Sequence, residues 1–197
     1  MKRLILLIAL LACTLPLSAQ SSEKLEGEAR SKAIATVLQA NDLRTTLRFR
    51  FTQIRHSALL TEDLVSKGSA AFSFPDKVRW EVEQPRASVF VMNGLDAADR
   101  RQQTLMRNLS KLSGKGLINE EDFTVTVYSA PGQWQIDLVP LRRDLAQLFD
   151  RITLLTDPRS GALRSILLSE KTGDLTEIRL ESMEKGVALS DELFQKP

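Results

Sequence analysis

The sequence predicts a mainly β protein with two principal helices, and three patterns carry this prediction. Short segments in which apolar and polar residues alternate recur along the chain, as is typical of strands with one buried face. Turn-forming Pro, Gly, Asn and Asp residues separate these segments, so that about nine to eleven short antiparallel strands are expected. Two further stretches carry apolar residues at helical spacing. Many short strands at this spacing indicate a barrel or a highly curved sheet.

Residues 1–19 have the pattern of an export signal. A basic pair precedes the apolar run Leu4–Leu17, and the small residues that end at Ala19 offer a cleavage site. We therefore expect a mature chain of one domain over residues 20–197. A second possibility is that Leu10–Cys13 is a lipobox and that Cys13 carries a lipid anchor. Cleavage after Ala19 is favoured, because apolar residues continue beyond Cys13.

The first predicted helix covers Ser21–Asn41. Its apolar residues, among them Leu25, Ile34 and Leu38, recur on one face. Such a helix either packs on a sheet as an ordinary core element or lies across the mouth of a sheet that has not closed. The sequence leaves both arrangements open.

Four predicted strands between Leu47 and Gly94 form an antiparallel meander with an aromatic inner face. Arg79, Glu81 and Glu83 lie on the opposite face of the third strand, where a solvated, charge-balanced exterior is expected. The fourth strand is the apolar segment Ser88–Met92. The apolar residues predicted to share the inner face of the first three strands are Leu47, Phe49, Phe51, Phe72, Phe74, Val78, Trp80 and Val82.

The loop between the first two of these strands, Ser57–Ser66, is long for a hairpin. It contains Leu59 and Leu60 in a position where solvent-facing residues are expected. Two interpretations have equal weight: the leucines fold back on the core, or they form a functional apolar patch.

The rest of the chain is predicted to contain a second helix and further strands. Leu95–Leu112 is the second amphipathic helix, with Leu105 and Leu109 on its apolar face. A helical turn is expected within Leu141–Phe149 and a short element at Ser190–Phe194. The strands predicted around them are Phe123–Tyr128, the segment of Trp134, Ile136 and Leu138, and then Ile152–Thr156, Leu163–Ser169 and Leu175–Ser182.

The residues offer no recognisable catalytic or metal-binding motif. His56 is the only histidine, and it is expected to be a solvated residue at the end of a strand. Removing the two basic residues of the signal leaves as many basic as acidic residues, which argues against nucleic acid as a partner. The sequence therefore predicts neither an enzyme nor a cofactor. What remains is a wide apolar inner face, and on the residues alone a filled core is favoured over a cavity.

Several short motifs follow one another along the chain in a definite order. Phe51-Thr52-Gln53 is followed by Gly68 in a strand and by the turn residue Pro75. Arg79-Trp80-Glu81, Gln84-Pro85 and Asn93-Gly94 come next, and Leu138-Val139-Pro140 marks the later half. This order of motifs resembles the LolA-like family of periplasmic outer-membrane lipoprotein carriers. The resemblance extends over nearly all of the expected mature chain.

This resemblance implies an unclosed antiparallel β-barrel whose apolar cavity is covered by a helical lid. The protein would be a periplasmic monomer without a cofactor that receives lipoprotein acyl chains from an inner-membrane releasing transporter and passes them to an outer-membrane acceptor. The lid would use Leu25, Ile34, Leu38, Leu105 and Leu109. The cavity would be lined by Leu47, Phe49, Phe51, Phe72, Phe74, Val78, Trp80, Val82, Trp134, Ile136 and Leu138.

One residue departs from the family pattern. Phe74 stands directly before the turn proline, where family members often carry an arginine that is thought to tie the lid shut. The alternatives to a soluble lipoprotein carrier are an outer-membrane acceptor of the LolB type, anchored through Cys13, and a carrier of another lipid.

Overall fold

The computed structural model describes residues 22–42, 44–74, 76–93 and 117–195. Its centre is one antiparallel sheet of ten strands in the order β1-β6-β7-β8-β9-β10-β2-β3-β4-β5. β1 and β5 are the two edges of this sheet, so the sheet does not close on itself. The strands are β1 (Glu23–Leu25), β2 (Leu47–His56), β3 (Leu64–Ser73), β4 (Lys77–Gln84), β5 (Ser88–Asn93), β6 (Phe123–Ala130), β7 (Gln133–Pro140), β8 (Phe149–Thr156), β9 (Leu163–Glu170) and β10 (Leu175–Lys185).

Three short helical elements accompany the sheet within the described ranges. They are the helix α1 (Gly27–Ala40), the single turn α2 (Arg143–Ala146) and a C-terminal 3₁₀ turn (Asp191–Phe194). None of the helices in this described part of the chain is long and apolar enough to cross a membrane. The predicted helix Leu95–Leu112, with Leu105 and Leu109, lies outside the described residues.

The prediction of a mainly β, unclosed antiparallel fold is confirmed, and so is the predicted number of strands. The first helix is shorter than predicted, because Glu23–Leu25 forms β1 and pairs with β6. Leu25, expected on the helix, is therefore a strand residue opposite Val127. Its apolar character suits both structures, and the open edge of β6 supplies the hydrogen bonds that select the strand.

The register places most apolar residues on one face of the sheet, called the inner face below. Paired residues in an antiparallel sheet point to the same side. Ile136 pairs with Val127 and Leu154, and at the far side of the sheet Phe51 pairs with Leu180 and Gly68. The inner face is thus continuous from β1 to β5, as period-2 alternation in every strand requires.

The helix α1 packs on the half of the inner face that β6 to β9 form. Its Ala33 and Val37 are fully buried, and Ile34 and Leu38 are partly buried in the same cluster. The strand residues of this first core cluster include Phe123, Val127, Ile136, Leu138, Ile152 and Leu154. The helix α1 therefore packs on the sheet as a core element, which is one of the two arrangements that the sequence left open.

Polar contacts fix α1 near both ends. The Asn41 side chain, buried just after the helix, donates from Nδ2 to the Gly161 carbonyl oxygen at 2.8 Å. Its Oδ1 accepts from the Leu163 backbone N–H at 3.1 Å. Near the other end, Arg30 Nη2 donates to the Val125 carbonyl oxygen at 3.2 Å and contacts the Glu120 carboxylate. The helix is therefore bound to the β8–β9 turn and to β6.

The outer face of β4 is charged and partly covered by the C-terminal segment. Arg79 Nε lies 2.9 Å from Glu81 Oε2, and Arg50 forms a two-point contact with Glu83, which holds the pKa of the Glu83 carboxyl below its ordinary value. Arg79 also donates to the Leu193 carbonyl oxygen at 3.2 Å, beside the buried Phe194. The expected charge-balanced pairing on this face is confirmed.

Candidate binding surface

Four aromatic rings form a contiguous layer on the inner face of β2, β3 and β4. The Phe51 and Trp80 rings stack with their centroids 4.1 Å apart. Phe49 meets Trp80 edge to face at 6.2 Å and stacks on Phe72 at 5.8 Å. Such offset and edge-to-face pairs are favoured because the ring faces are electron-rich and the edges electron-poor. We call these four residues the aromatic layer.

Gly68 makes room for the aromatic layer. It lies between Phe51 and Val82 in the register of β2, β3 and β4, at an irregularity in the pairing of β3 with β4. A Cβ atom at this position would lie 1.9 Å from the Glu81 carbonyl oxygen and 2.9 Å from Phe51 Cζ. Only glycine lets the Phe51 ring and the β4 backbone approach the strand this closely.

The aromatic layer belongs to a second core cluster, and its described members come from strands alone. Leu47, Phe49, Phe51 and Ala70 are its buried residues. The partly buried residues packed against them are Phe72, Trp80, Val82, Ile178, Leu180 and Met183. The inner face therefore has two parts: a part under α1 and an aromatic part on β10, β2, β3 and β4.

The residues predicted to line a cavity divide between these two parts. Leu47, Phe49, Phe51, Phe72, Trp80 and Val82 come together in the aromatic part. Ile136 and Leu138 are buried in the cluster under α1, where Trp134 is partly buried. The reason is topological, because three strands, β8, β9 and β10, separate β7 from β2 in the sheet, and α1 covers the cluster that contains β7. Val78, which was also predicted to line the cavity, is buried, with 2% of its surface exposed.

Phe74 stands apart from both parts. It follows β3 at a turn and is 43% exposed. Alternation alone would have placed it beside Phe72, but β3 ends at Ser73, so the strand geometry no longer directs the Phe74 side chain. The position before the turn proline therefore carries an exposed aromatic ring.

Several inner-face residues were absent from the predicted lining. Ile178 and Leu180 on β10 join the aromatic part because β10 pairs with β2. Phe90 pairs with Trp80, and Met92 with Val78, so both share this face on β5. Alternation had indicated the orientation of each strand, whereas the neighbours of each strand emerge only from the sheet order.

Polar groups border the aromatic part where β2 ends. Arg55 Nη2 lies 2.6 Å from Asp174 Oδ2 and 3.5 Å from Glu170 Oε2. Hydrogen bonds from Ser57 and Arg55 hold the pKa of the Asp174 carboxyl below its ordinary value. His56 Nδ1 lies 2.7 Å from Asp63 Oδ1. Within the described ranges, no group of three or more His, Cys, Asp or Glu residues is arranged to hold a metal ion.

The geometry defines a class of protein: the described part of the chain forms an unclosed antiparallel sheet with a continuous apolar inner face and few helices. The chain belongs to the family of the outer membrane lipoprotein carrier protein LolA, whose family model matches residues 43–197. This is a family of carriers. A search of curated proteins finds no match.

Solved structures that match this chain share little sequence with it. A LolA superfamily protein, NE2245 from Nitrosomonas europaea, is 9% identical with a TM-score of 0.46, over 84% of this chain and 97% of that one. A putative outer membrane lipoprotein-sorting protein domain from Vibrio parahaemolyticus is 11% identical with a TM-score of 0.41, over 83% of this chain and 94% of that one. The MucA/MucB complex of Pseudomonas aeruginosa contains a chain that is 14% identical with a TM-score of 0.45, over 85% of this chain and 60% of that one.

Proposed function

We propose that this protein carries the acyl chains of lipoproteins through the periplasm, from an inner-membrane releasing transporter to an outer-membrane acceptor. The observation that carries the proposal is the aromatic part of the inner face. It presents Phe49, Phe51, Phe72 and Trp80 as one layer, in a cluster to which the described helices contribute no residue. Membership of the carrier family supports the same function.

The physical problem that such a carrier solves is the cost of acyl chains in water. Each buried CH₂ group contributes about 0.8 kcal/mol, so a single long acyl chain gains roughly 10 kcal/mol from an apolar surface. Binding and release need no bond to be made or broken, and the proposed function therefore involves no cofactor and no catalytic residue. Aromatic rings supply a large contact area with few rotatable bonds.

The test is to place a charge inside the aromatic layer and to measure the binding of an acyl ligand. We expect Trp80→Asp and Phe72→Asp to weaken the binding of a fluorescent fatty acid by at least tenfold, because a carboxylate on this surface has to be desolvated by an acyl chain. Val139→Asp is the matched control, since Val139 is an exposed aliphatic residue on the outer face of β7. Circular dichroism verifies that each variant is folded. Unchanged binding in folded Trp80→Asp and Phe72→Asp would refute the proposed surface.

Native mass spectrometry of the protein purified from cell envelope identifies the cargo. A lipoprotein or its acylated N-terminal peptide is the expected companion. Co-purification of a different lipid would support the proposed binding surface and would show that the cargo is that lipid. Mass spectrometry of the mature N-terminus separates the soluble carrier from the anchored acceptor, since the acceptor requires a diacylglyceryl group on Cys13 in the Leu10–Cys13 motif.

A further inference from the structure

The loops at one end of the sheet carry a group of exposed leucines. These are Leu59 and Leu60 in the β2–β3 loop, Leu64 at the start of β3, and Leu141 and Leu148 in the connection between β7 and β8. We call these five residues the end patch. Most of the large exposed apolar residues in the described part of the chain belong to it.

The sheet register places these loops side by side. His56, the last residue of β2, pairs with Leu175 at the start of β10. Glu170, the last residue of β9, pairs with Phe149 at the start of β8, and the Lys171 N–H donates to the Leu148 carbonyl oxygen at 3.0 Å. The β2–β3 loop therefore neighbours the β9–β10 turn, which in turn neighbours the β7–β8 connection. All three connections lie at the same end of the sheet.

The β2–β3 loop holds its leucines outward. Leu59 is 93% exposed, although the loop is internally bonded. The Leu60 N–H donates to the Ser57 carbonyl oxygen at 3.0 Å, and the His56 ring contacts Asp63 across the base of the loop. Of the two interpretations from the sequence, folding back on the core is wrong for Leu59. An aliphatic side chain held in water by an ordered loop is unfavourable unless another surface covers it.

Several charged groups beside the end patch are paired with one another, whereas the exposed Arg143 of the β7–β8 connection forms no ion pair with a described residue. Arg55 bonds Asp174, Lys171 contacts Asp150, and Arg142 contacts Asp144. Glu62 and Asp63 add negative charge within the β2–β3 loop itself. The neighbourhood therefore lacks the unpaired basic cluster that attracts anionic lipids or nucleic acid. The apolar side chains therefore dominate what this end of the sheet offers to another surface.

We propose that this end of the sheet docks on a lipid bilayer by inserting Leu59 and Leu60 into the interfacial region, with Leu64, Leu141 and Leu148 resting on it. A bilayer fits better than a protein groove for two reasons. The leucines project from separate connections at one end instead of forming one contiguous strip, and a fluid lipid surface accommodates scattered side chains without a shaped partner. The proposal goes beyond the carrier function, because it concerns the docking of the protein on a bilayer that contains no lipoprotein cargo.

The experiment is flotation of the full protein with vesicles of phosphatidylcholine that contain no lipoprotein. We expect the wild-type protein to float with the vesicles, and Leu59→Gln/Leu60→Gln to lose at least tenfold in its partition coefficient. The loss follows from the burial of a nearly fully exposed leucine, which is worth on the order of a factor of ten or more. Val139→Thr, an isosteric change of an exposed outer-face residue, is the control and is expected to float like the wild type.

Salt and charge arms separate apolar docking from electrostatic binding. Binding that persists at high salt and is no stronger on vesicles with phosphatidylglycerol supports the proposal, since screening weakens only charge interactions. Failure of the wild-type protein to float on either vesicle overturns it, as does equal flotation of Leu59→Gln/Leu60→Gln. If that variant fails only in binding to a membrane-protein partner, the patch is a protein contact and the bilayer proposal is wrong. Binding of the fluorescent fatty acid stays unchanged in the variant, so the carrier function is tested independently.

Discussion

Replacing Asn41 with alanine tests whether α1 is fixed to the sheet. The side chain of Asn41 is 4% exposed and forms three hydrogen bonds: it donates to the carbonyl oxygens of Val37 and Gly161, and it accepts from the N–H of Leu163. The Asn41 backbone N–H also bonds the Val37 carbonyl oxygen, at 3.0 Å, so this oxygen keeps a partner in Asn41→Ala. The Gly161 oxygen and the Leu163 N–H each lose the bond that joins them to the helix.

The expected loss of stability follows from these two groups. Leaving a buried polar group without a partner costs about 1–3 kcal/mol. Leu163 is only partly buried and water can reach it more easily than Gly161. The free energy of unfolding should therefore fall by about 2–4 kcal/mol for Asn41→Ala. With a dependence of roughly 2 kcal/mol per molar of urea, the unfolding midpoint should move down by about 1–2 M.

The assay is urea unfolding followed by far-ultraviolet circular dichroism and by tryptophan fluorescence. Both signals should shift together, because α1 shares its core cluster with Trp134. Asn41→Asp is a sharper companion variant. Its carboxylate keeps the acceptor for Leu163 but faces the Val37 and Gly161 carbonyl oxygens, so at neutral pH it should be at least as unstable as Asn41→Ala. A midpoint that falls by less than about 0.3 M in Asn41→Ala would contradict the docking of α1 described above.

Two further predictions concern the aromatic layer and one exposed carboxylate. Gly68→Ala should lower the free energy of unfolding by about 3 kcal/mol and reduce the near-ultraviolet circular dichroism signal of Trp80, because the new Cβ atom meets the Glu81 carbonyl oxygen. A variant as stable as the wild type would contradict the close approach of the β4 backbone to Gly68. Hydrogen bonds from the Arg44 side chain and backbone lower the pKa of Asp42 from 3.8 to about 2. The stabilisation is therefore present above pH 3.8 and is lost as the pH falls through about 2. A titration of the Asp42 carboxyl by nuclear magnetic resonance should have its midpoint at about 2, and Arg44→Ala should move this midpoint towards 3.8. A midpoint near 3.8 in the wild-type protein would count against the contact between Asp42 and Arg44.

The position of α1 bears on how a carrier of this shape exposes its binding surface. Ala33 and Val37 are fully buried against β6 to β9, and Gly161 lies so close that an added Cβ would be 2.6 Å from the Thr36 carbonyl oxygen. A helix packed and bonded in this way is a poor candidate for a lid that opens in each cycle. We therefore expect cargo to reach the aromatic part without movement of α1.

Strands with clear alternation were predictable because their pattern reports a local property. β2, β3 and β4 were all expected from the sequence, since Phe49 and Phe51 alternate with arginines and Val78, Trp80 and Val82 alternate with charged residues. β1 was not expected. Leu25 continues the apolar period of α1, and the strand conformation of Glu23–Leu25 depends on the free edge of β6, to which no local pattern points.

Within each strand the sequence by itself determined which residues face inward, because side-chain direction in a strand has a period of two whatever its neighbours are. Phe74 lies beyond the end of β3 and does not follow this rule. It also determined the tight site at Gly68, by leaving one position of the aromatic face without a side chain. Only the tertiary structure decided which inward residues meet. The order of the strands puts Ile178 and Leu180 beside Phe51, and the docking of α1 on β6 to β9 buries Ile136 and Leu138. These contacts join residues far apart in the chain. They depend on which strand edges pair and on where the helix packs, and neither property can be read from the periodic pattern of the sequence.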